Sequence, residues 1–309
     1  MTDPHQEFAL IDWIRRQAAP HLRVPLGIGD DAAVVDFPAP TACLVTVDML
    51  MEGVDFVMPQ ASPPRVGRKA LAVSLSDIAA MAGRPVAAFV SLALPRRGGD
   101  ELARGLYAGL QPLAKEFDVS LAGGDTNSWD GPLVISVTVL GEAVGRGPVP
   151  RSGAQPGDWV MTTGDFGGSL TGKHLDFSPR VREALTLHAA AHLHAMIDVS
   201  DGLAADLWHL LDESRVGAVL DAHRIPISPA AACANDGRTP LEHALGDGED
   251  FELVFSVSPA DGEKLLASSP CGIAISRIGE IVSGRECRLR DALGNFTPLP
   301  PTGWRHTFS

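Results

Sequence analysis

The sequence predicts a mixed α/β (α+β) protein made of two halves of similar size. Helical and strand-like patterns alternate along the chain, which favours sheets covered by helices. A run rich in glycine and proline at residues 145–150 interrupts these patterns near the middle, and a new strand pattern follows it. We therefore predict two domains, residues 1–145 and residues 150–309.

The first half is predicted to contain three helices and four strands. Apolar residues spaced three or four apart predict helices over residues 7–16, 64–81 and 100–117. Short apolar or alternating runs predict strands over residues 43–47, 86–94, 119–122 and 133–142. Asp48 would then end the first strand, and Asp125 would follow the third strand in a double-glycine turn.

The second half restarts with a strand and is predicted to alternate in the same way. Strands are predicted over residues 158–162 and 251–257, and helices over residues 179–194 and 203–211. A chain of 309 residues is long enough for each half to bury a core of its own.

The overall charge excludes one class of partner and favours another. The net charge is −13 and the isoelectric point is about 5.1. Proteins that bind duplexes carry a basic surface, so nucleic acid is not an expected partner. An acidic protein that handles phosphates needs cations between itself and its substrate, and divalent metal is the simplest source.

Cysteine usage and hydropathy indicate a cytoplasmic protein. The four cysteines are scattered and form no CxxC pair, which fits a reducing compartment. Residues 1–5 carry no basic segment that leads into an apolar run, so no signal peptide is expected. The longest apolar runs have the length of a strand, and no membrane span is predicted.

The segment from Gly27 to Ala32 fits the loose dinucleotide-binding pattern GxGxxA. Pro25 interrupts the weak strand pattern before it, and Asp30 and Asp31 stand where a pyrophosphate would lie. We therefore do not predict a dinucleotide site here.

Two further patterns resemble known sites but favour ordinary structure. The segment from Gly167 to His174 fits GxxxxGK, but His174 replaces the Ser or Thr that holds Mg²⁺ in a P-loop. A glycine-rich turn is the preferred interpretation, and a phosphate could still lie near it. His188 and His192 are four residues apart, yet alanines surround them, so a packed or solvated helix face is favoured over a metal site.

Acidic residues stand in unusual places along the chain, mostly beside glycines or at strand ends: Asp30, Asp31, Asp48, Asp77, Asp125, Asp198, Asp201, Glu249 and Asp250. Each one alone has an ordinary explanation as a turn residue or a helix cap. Such positions are also where α/β proteins place ligand groups. If several converge, protons or cations must offset their charges, and Mg²⁺ prefers these oxygen ligands.

Six motifs occur in an order that resembles a known family: GIGDDAAV from Gly27, TVDMLMEGVDF from Thr46, KALAVSLSDIAAM from Lys69, AGGDT from Ala122, IDVSDGL from Ile197 and GEDFEL from Gly248. The set is similar to thiamine-monophosphate kinase, of the aminoimidazole-ribonucleotide-synthetase-like superfamily of ATP-using enzymes. The resemblance covers residues 7–304. One such motif would be weak evidence, whereas six in order are specific.

The resemblance implies a fold, an assembly and a reaction. The N-terminal domain would bind ATP and metal and would join its partner's strands in an intersubunit β-barrel, giving a homodimer, and the C-terminal domain would be α/β. ATP would donate a phosphoryl group directly and in line to thiamine phosphate, with several Mg²⁺ ions on the phosphates. Because the acceptor is already an anion, alignment and charge neutralisation matter more than acid–base catalysis.

The resemblance also implies roles for particular residues. Asp48, Asp77 and Asp125 would act in catalysis through metal. The metal ligands would be Asp30, Thr46, Asp48, Asp77, Asp125, Asp198 and Asp201. The nucleotide would contact Gly124, Asp125, Arg151 and Ser200, and the thiamine end would face Asp55, Glu249 and Trp304. The residues themselves leave open that Arg151 is a surface residue and that Trp304 packs on the core.

Three positions depart from the family pattern. Val47 stands where a second Thr is usual, Asp55 stands where His is usual, and Asp247 replaces a Gly. Residues 166–182 also differ from the common version. These departures concern the acceptor pocket more than the metal set, although Val47 would remove one oxygen ligand.

Two alternatives stay open. The chain could be another ATP-dependent enzyme of the superfamily that acts on a different phosphorylated acceptor. It could also be a non-catalytic nucleotide-binding protein, which would predict loss of the metal set, whereas the central aspartates are all present.

Overall fold

The computed structural model describes residues 13–25 and 35–305. It forms two compact units, one within residues 1–144 and one within residues 145–309. The short segment Ala79–Ala82 belongs with the second unit, where the Met81 carbonyl accepts a hydrogen bond from Val149 N at 3.1 Å. The predicted helix at residues 7–16 lies mostly outside the described residues, of which 13–17 are helical.

The first unit is a four-stranded sheet with two long helices. Its strands are β1 (Cys43–Met51), β2 (Arg84–Pro95), β3 (Ser120–Trp129) and β4 (Val134–Glu142), and its helices are α1 (Pro63–Ala80) and α2 (Gly99–Glu116). The strands lie in the order β1-β4-β2-β3. β2 and β3 are parallel and the other neighbours are antiparallel. β1 is therefore an edge strand.

Two glycines allow α1 and α2 to cross closely. A Cβ on Gly67 of α1 would lie 2.0 Å from the Leu106 carbonyl oxygen, and a Cβ on Gly109 of α2 would lie 1.7 Å from the Pro64 carbonyl oxygen. Either side chain would overlap rigid backbone, so the crossing requires glycine at both positions. This contact fixes the position of α1, which carries Asp77.

The helix predictions for residues 64–81 and 100–117 are confirmed, but two strand ends are corrected. β1 continues to Met51, so Asp48 lies inside the strand, opposite Val137 of β4. β3 continues to Trp129, so Asp125 lies inside a strand and not in a turn. Asp48 lowers the strand propensity of the first stretch, and glycines and polar residues lower that of the second, whereas pairing with the neighbouring strands continues through both.

The second unit is built on a seven-stranded mixed sheet. Its strands are β5 (Trp159–Thr163), β6 (Leu193–Asp198), β7 (Gly217–Asp221), β8 (Leu253–Val257), β9 (Ile275–Val282), β10 (Cys287–Arg290) and β11 (Phe296–Pro298). They lie in the order β11-β10-β7-β9-β5-β8-β6. β10 and β7 pair in parallel, and the other neighbours pair antiparallel.

Six α-helices of the described chain accompany this sheet: α3 (Lys173–Asp176), α4 (Val181–Ala190), α5 (Leu203–Ser214), α6 (Pro229–Cys233), α7 (Pro240–Gly246) and α8 (Pro259–Ser268). The main core includes Ile197 of β6 together with Leu203, Leu207 and Leu210 of α5, all buried. The core thereby fixes the short connection between β6 and α5, which carries Ser200 and Asp201.

One predicted helix of this half is wrong at its C-terminal end. The alanine-rich run predicted a helix over residues 179–194, whereas α4 ends at Ala190 and β6 begins at Leu193. Ala191 is extended, with φ −141° and ψ 163°, and β6 pairs with β8 from Leu193 onward. Burial in the sheet overrides the helix propensity of the alanines.

Neither disulfide bonds nor membrane-spanning helices occur in the parts of the chain that the structure describes. Cys43 and Cys233 are exposed free thiols, Cys271 is half-buried and Cys287 is buried. No helix there is long and apolar enough to cross a membrane.

Candidate active site

The first unit brings four oxygen-bearing side chains together where β1 meets α1. Thr46 and Asp48 are two residues apart on β1 and therefore share one face of the strand. From α1, Asp77 accepts a hydrogen bond from the Thr46 hydroxyl, and Ser74 donates a bond of 2.6 Å to Asp48. Ser74 and Asp77 are three residues apart, so they share one face of the helix. We call these four residues the β1–α1 group.

The charges in the β1–α1 group favour a bound cation. The pKa of Asp48 is raised to about 6, first by burial and then by the negative charge of Asp77, while the Ser74 hydrogen bond lowers it. A cation near both carboxylates would relieve this repulsion. Carboxylate oxygens are the ligands that Mg²⁺ prefers, so the residues present fit a divalent ion.

Gly124 and Asp125 lie within β3 and differ in their surroundings. A Cβ on Gly124 would lie 1.9 Å from the Val90 carbonyl oxygen, so this position admits only glycine. Asp125 is exposed, and its carboxylate accepts a hydrogen bond from Thr126 N at 2.8 Å. The sheet register places Gly124 in the cross-strand row of Asp48 and Asp125 in the next row. The metal role of Asp125 stays a prediction.

The second unit carries an acidic cluster of its own, formed by Asp198, Asp201 and Asp206. Asp198 is buried at the end of β6, and Asp201 is half-buried in the loop before α5. Asp206, in the first turns of α5, accepts hydrogen bonds from Asp201 N at 2.9 Å and Gly202 N at 3.1 Å. The pKa of Asp206 is raised to about 8 by burial and then by the charges of Asp198 and Asp201.

Sequence reasoning missed Asp206 and its helical neighbour His209. One ligand atom each from Asp201, Asp206 and His209 lie within 4.8 Å of one another, a spacing that could hold a metal ion. The signal was available, because Asp206 and His209 are three residues apart on a helix that begins beside Asp201. Asp206 lies outside the motifs that pointed to the other acidic residues, and in the fold its carboxylate caps the backbone N–H groups at the start of α5.

Residues 247–252, which we call the acidic turn, lie directly beside Ser200. Glu249 N donates a hydrogen bond to the Ser200 carbonyl oxygen at 2.6 Å, and Phe251 N donates to the Val199 carbonyl oxygen at 2.8 Å. Glu249 and Phe251 have φ values of 54° and 50°, in the left-handed region that non-glycine residues seldom adopt. The chain therefore tolerates local strain to hold these two side chains in place.

Residues 164–182, which we call the clamp segment, donate hydrogen bonds to the aspartates of the acidic turn. Asp247 accepts a hydrogen bond from Gly168 N at 2.7 Å. Asp250 accepts one from Gly167 N at 3.0 Å and another from the Ser169 hydroxyl. Burial raises the pKa of Asp250 to about 6 although these hydrogen bonds lower it.

Glu252 ties the same two stretches together through charge. Its side chain is 1% exposed and receives Arg180 through two hydrogen bonds of 2.7 and 2.6 Å. Lys173 adds a contact of 3.2 Å, and Thr163 donates a bond of 2.9 Å. The lysine of the GxxxxGK pattern is thus engaged by a buried carboxylate, which supports the glycine-rich turn over P-loop chemistry.

Two family models match this chain. The one described as AIR synthase related protein, N-terminal domain, matches residues 29–143. The one described as AIR synthase related protein, C-terminal domain, matches residues 155–292. Together they cover both units.

A curated relative narrows the assignment. The chain is 41% identical to the thiamine-monophosphate kinase of Rhodopirellula baltica, over 97% of each chain. The chain belongs to the thiamine-monophosphate kinase family. A crystal structure of thiamine-monophosphate kinase from Stenotrophomonas maltophilia is similar, with a TM-score of 0.80, 35% identity and coverage of 92% of this chain and 96% of that chain. AaThiL complexed with AMPPCP and TMP is also similar, with a TM-score of 0.77, 29% identity and coverage of 97% of each chain.

Two of the three positions that depart from the usual pattern of the thiamine-monophosphate kinase family, Asp55 and Asp247, have structural explanations. Val47 alternates with Thr46 and Asp48, so it faces away from the β1–α1 group and is 63% exposed. Asp55 accepts a hydrogen bond from Met51 N at 2.6 Å and so stabilises the end of β1. The hydrogen bond explains Asp55, whereas no contact within the described chain explains Val47.

Asp247 is explained by its contacts as well. Besides Gly168 N, it binds Arg238 at 2.6 Å and His243 at 2.9 Å. The pKa of Asp247 is lowered by these hydrogen bonds despite its burial. The replacement of the usual glycine therefore adds an anchor for the clamp segment.

The remaining predicted site residues have varied surroundings. Arg151 is exposed, and its carbonyl oxygen accepts a hydrogen bond from Ser214 at 3.0 Å. The side chain of Trp304 is 56% exposed, and its backbone N–H donates to the Asp201 carbonyl oxygen at 2.9 Å, beside the second unit's acidic cluster. Asp30, with Asp31 and the whole Gly27–Ala32 pattern, lies outside the described residues.

The histidine pair is not a metal face. α4 ends at Ala190, so His188 and His192 do not share a helix. The ring of His192 instead meets the ring of His194 edge-on at 5.0 Å. The predicted packed or solvated helix face is therefore wrong, because the helix ends before His192.

Proposed function

We propose that this chain transfers a phosphoryl group from ATP to thiamine phosphate, giving thiamine diphosphate and ADP, with the help of several Mg²⁺ ions. The β1–α1 group carries the proposal, because it joins two carboxylates that need a cation to share one site. The family and the similarity to AaThiL complexed with AMPPCP and TMP support the two substrates.

In the first unit, Asp48 and Asp77 would hold metal together with the Thr46 hydroxyl, and Asp30 and Asp125 would complete the set. The metal, when bound, neutralises charge on the transferred phosphoryl group. The side chains themselves align the ions and need not move a proton, because the acceptor oxygen is already an anion. Gly124 would let a phosphate approach the backbone closely, since it has no side chain.

In the second unit, Asp198 and Asp201 would contribute further metal ligands, with Asp206 and His209 beside them. These residues suit a cation for the same reason as the β1–α1 group, because a cation would relieve the repulsion between carboxylates. Burial and the neighbouring charges raise the pKa of Asp206 to about 8. Ser200 would contact the nucleotide, and Arg151 would add a fixed positive charge for its phosphates.

The thiamine end of the acceptor would be recognised by carboxylates and an aromatic ring. Thiamine carries a positively charged thiazolium ring, which suits the carboxylates of Glu249 and Asp55. Trp304 is largely exposed and could stack on a flat cationic ring. Asp55 can serve this role and its backbone bond together, because a carboxylate accepts several hydrogen bonds.

We further propose a homodimer in which β1 of each first unit joins an intersubunit β-barrel. Val45, Val47 and Met49 are 60%, 63% and 61% exposed on one face of this edge strand. Edge strands with an apolar face are expected to be covered, because they otherwise promote aggregation. On this proposal residues 1–145 form the ATP-binding, metal-binding and dimerisation domain, and residues 150–309 form the C-terminal domain of a cytoplasmic enzyme.

An assay of ADP release with Mg²⁺, ATP and thiamine phosphate tests the reaction. We expect ADP and thiamine diphosphate in equal amounts, and no product when the acceptor or Mg²⁺ is omitted. ADP release with other phosphorylated acceptors alone would favour a different enzyme of the superfamily. Nucleotide binding without turnover on any acceptor would favour a non-catalytic protein.

A further inference from the structure

Glu249, the proposed acceptor residue of the acidic turn, is paired with His174 of the clamp segment. The two side chains meet with His174 Nδ1 2.9 Å from Glu249 Oε2. They are 14% and 24% exposed, so the contact is largely shielded from water. Shielding strengthens a polar contact relative to one on the open surface.

Both partners of this pair are fixed by their neighbours in the chain. On one side of His174, Lys173 binds the buried Glu252 at 3.2 Å, and on the other side Leu175 is buried. The backbone of Glu249 is held by its hydrogen bond to Ser200. The pair therefore joins two rigid stretches of chain.

A stacked pair of aromatic rings nearby also joins the clamp segment to the acidic turn. Phe177 lies on Phe251 with ring centroids 4.0 Å apart and an angle of 12° between the ring planes. Residues 173, 174 and 177 of the clamp segment thus contact residues 252, 249 and 251 of the acidic turn. Such supporting contacts hold a binding group in the geometry that its ligand needs.

We infer that His174 is a positioning residue that orients the Glu249 carboxylate toward the thiamine end of the acceptor. This inference rests on the proposed function. His174 Nδ1–H donates to one carboxylate oxygen and limits the rotamers that Glu249 can adopt, so less entropy is lost when the acceptor binds. The histidine that ends the GxxxxGK pattern therefore serves the acceptor and not a nucleotide phosphate.

Three variants test the inference by separating acceptor binding from ATP binding. We expect His174→Leu to raise the KM for thiamine phosphate about tenfold, equivalent to about 1.4 kcal/mol, while the KM for ATP changes less than about twofold. His174→Asn should restore most of the acceptor affinity, because its amide nitrogen can donate from a position close to Nδ1. His223→Leu, at an exposed histidine beside Asp221, is the matched control and should behave as the wild type.

A double substitution distinguishes positioning from a general structural role. Glu249→Gln should raise the acceptor KM by itself, and adding His174→Leu should then have little further effect, because coupled residues are not additive. Equal increases in the KM for ATP and acceptor, or full additivity of the two substitutions, would overturn the inference. If His174→Leu kept the turnover and the acceptor KM of the wild type, the inference about His174 would be overturned and the proposed function would stand. Absence of wild-type turnover with thiamine phosphate would overturn the proposed function as well.

Discussion

The hydroxyl of Thr46 donates a hydrogen bond to the carboxylate of Asp77, which ties the edge strand β1 to helix α1. Ser74, three residues before Asp77, binds Asp48 of the same strand. Two bridges therefore join one strand to one helix, and each bridge ends on a carboxylate. An amide could still accept the hydrogen bond, so charge can be removed without removing the bridge.

Asp77→Asn uses this property to test the metal site. We expect turnover to fall by about 100-fold or more, because the proposed metal site would lose a charged ligand. Its melting temperature without Mg²⁺ should stay the same or rise, since repulsion with Asp48 is removed. ADP release and thermal unfolding with and without Mg²⁺ measure both quantities.

Asp100→Asn is a suitable control for that experiment, because Asp100 forms an i,i+4 pair with Arg104 on α2 and loses the same charge. It should retain normal turnover and normal dependence on Mg²⁺. Near-normal turnover in Asp77→Asn would remove Asp77 from the metal site.

The raised pKa of Asp250 should make the stability of the fold depend on pH. Its pKa is raised from the usual 3.8 to about 6, mainly by burial. Between these values the folded state keeps a proton that the unfolded state has lost, so this contribution to stability is present below about pH 4 and is lost as pH rises to about 6. The rise in pKa corresponds to about 3 kcal/mol.

Asp250→Asn should abolish that contribution. The free energy of unfolding of the wild type minus that of Asp250→Asn should decrease between pH 4 and pH 6 and then level off. Denaturant titrations of both proteins across this range measure the difference. A difference that is constant with pH would show that Asp250 keeps an ordinary pKa.

The buried pair of Arg180 and Glu252 should be costly to break from one side. Arg180→Met leaves a largely buried carboxylate without its main partner, which is expected to destabilise the protein by about 3 kcal/mol or more. Adding Glu252→Gln should recover part of that loss, because the unpaired charge disappears. Denaturant unfolding of the two single variants and the double variant measures the coupling; simple additivity would contradict it.

The exposed face of β1 predicts the effect of charge on assembly. Val47→Glu should convert the proposed dimer to a monomer, because a carboxylate would be buried in an apolar interface. Light scattering after size exclusion gives the mass. Leu293→Glu is the control, since Leu293 is 87% exposed in a turn of the second unit and should leave the mass unchanged. A wild-type monomer would exclude the intersubunit barrel under those conditions.

Much of the fold could be predicted because the buried face of a helix or strand places apolar residues at regular intervals in the sequence. The leucines of α2 repeat at helical spacing, and the structure has that helix over Gly99–Glu116. The prediction failed at residues 191–194, where the helix that was predicted gives way to extended chain and the start of β6. Leu193 pairs with Val257 of β8, which is distant in sequence, so local propensity cannot predict that pairing.

Some residues of the candidate site could be predicted from the sequence, and others could not. Thr46, Asp48 and Asp77 were named from motifs, and the structure makes them neighbours. Asp206 was not predicted, because it lies outside the IDVSDGL motif, and only the fold brings it onto the backbone of Asp201. The pairing of His174 with Glu249 was beyond sequence reasoning, because 75 residues separate two side chains that only the fold brings together.

The contacts between the clamp segment and the acidic turn constrain how the two stretches can be exchanged between related proteins. Glu252 is satisfied by Arg180, Asp250 by Ser169, and Asp247 by Gly168, so each stretch supplies what the other lacks. A recombination point between the two stretches would leave Glu252 buried without a matching cation wherever the other parent lacks a counterpart of Arg180. Both stretches should therefore be transplanted together from one parent.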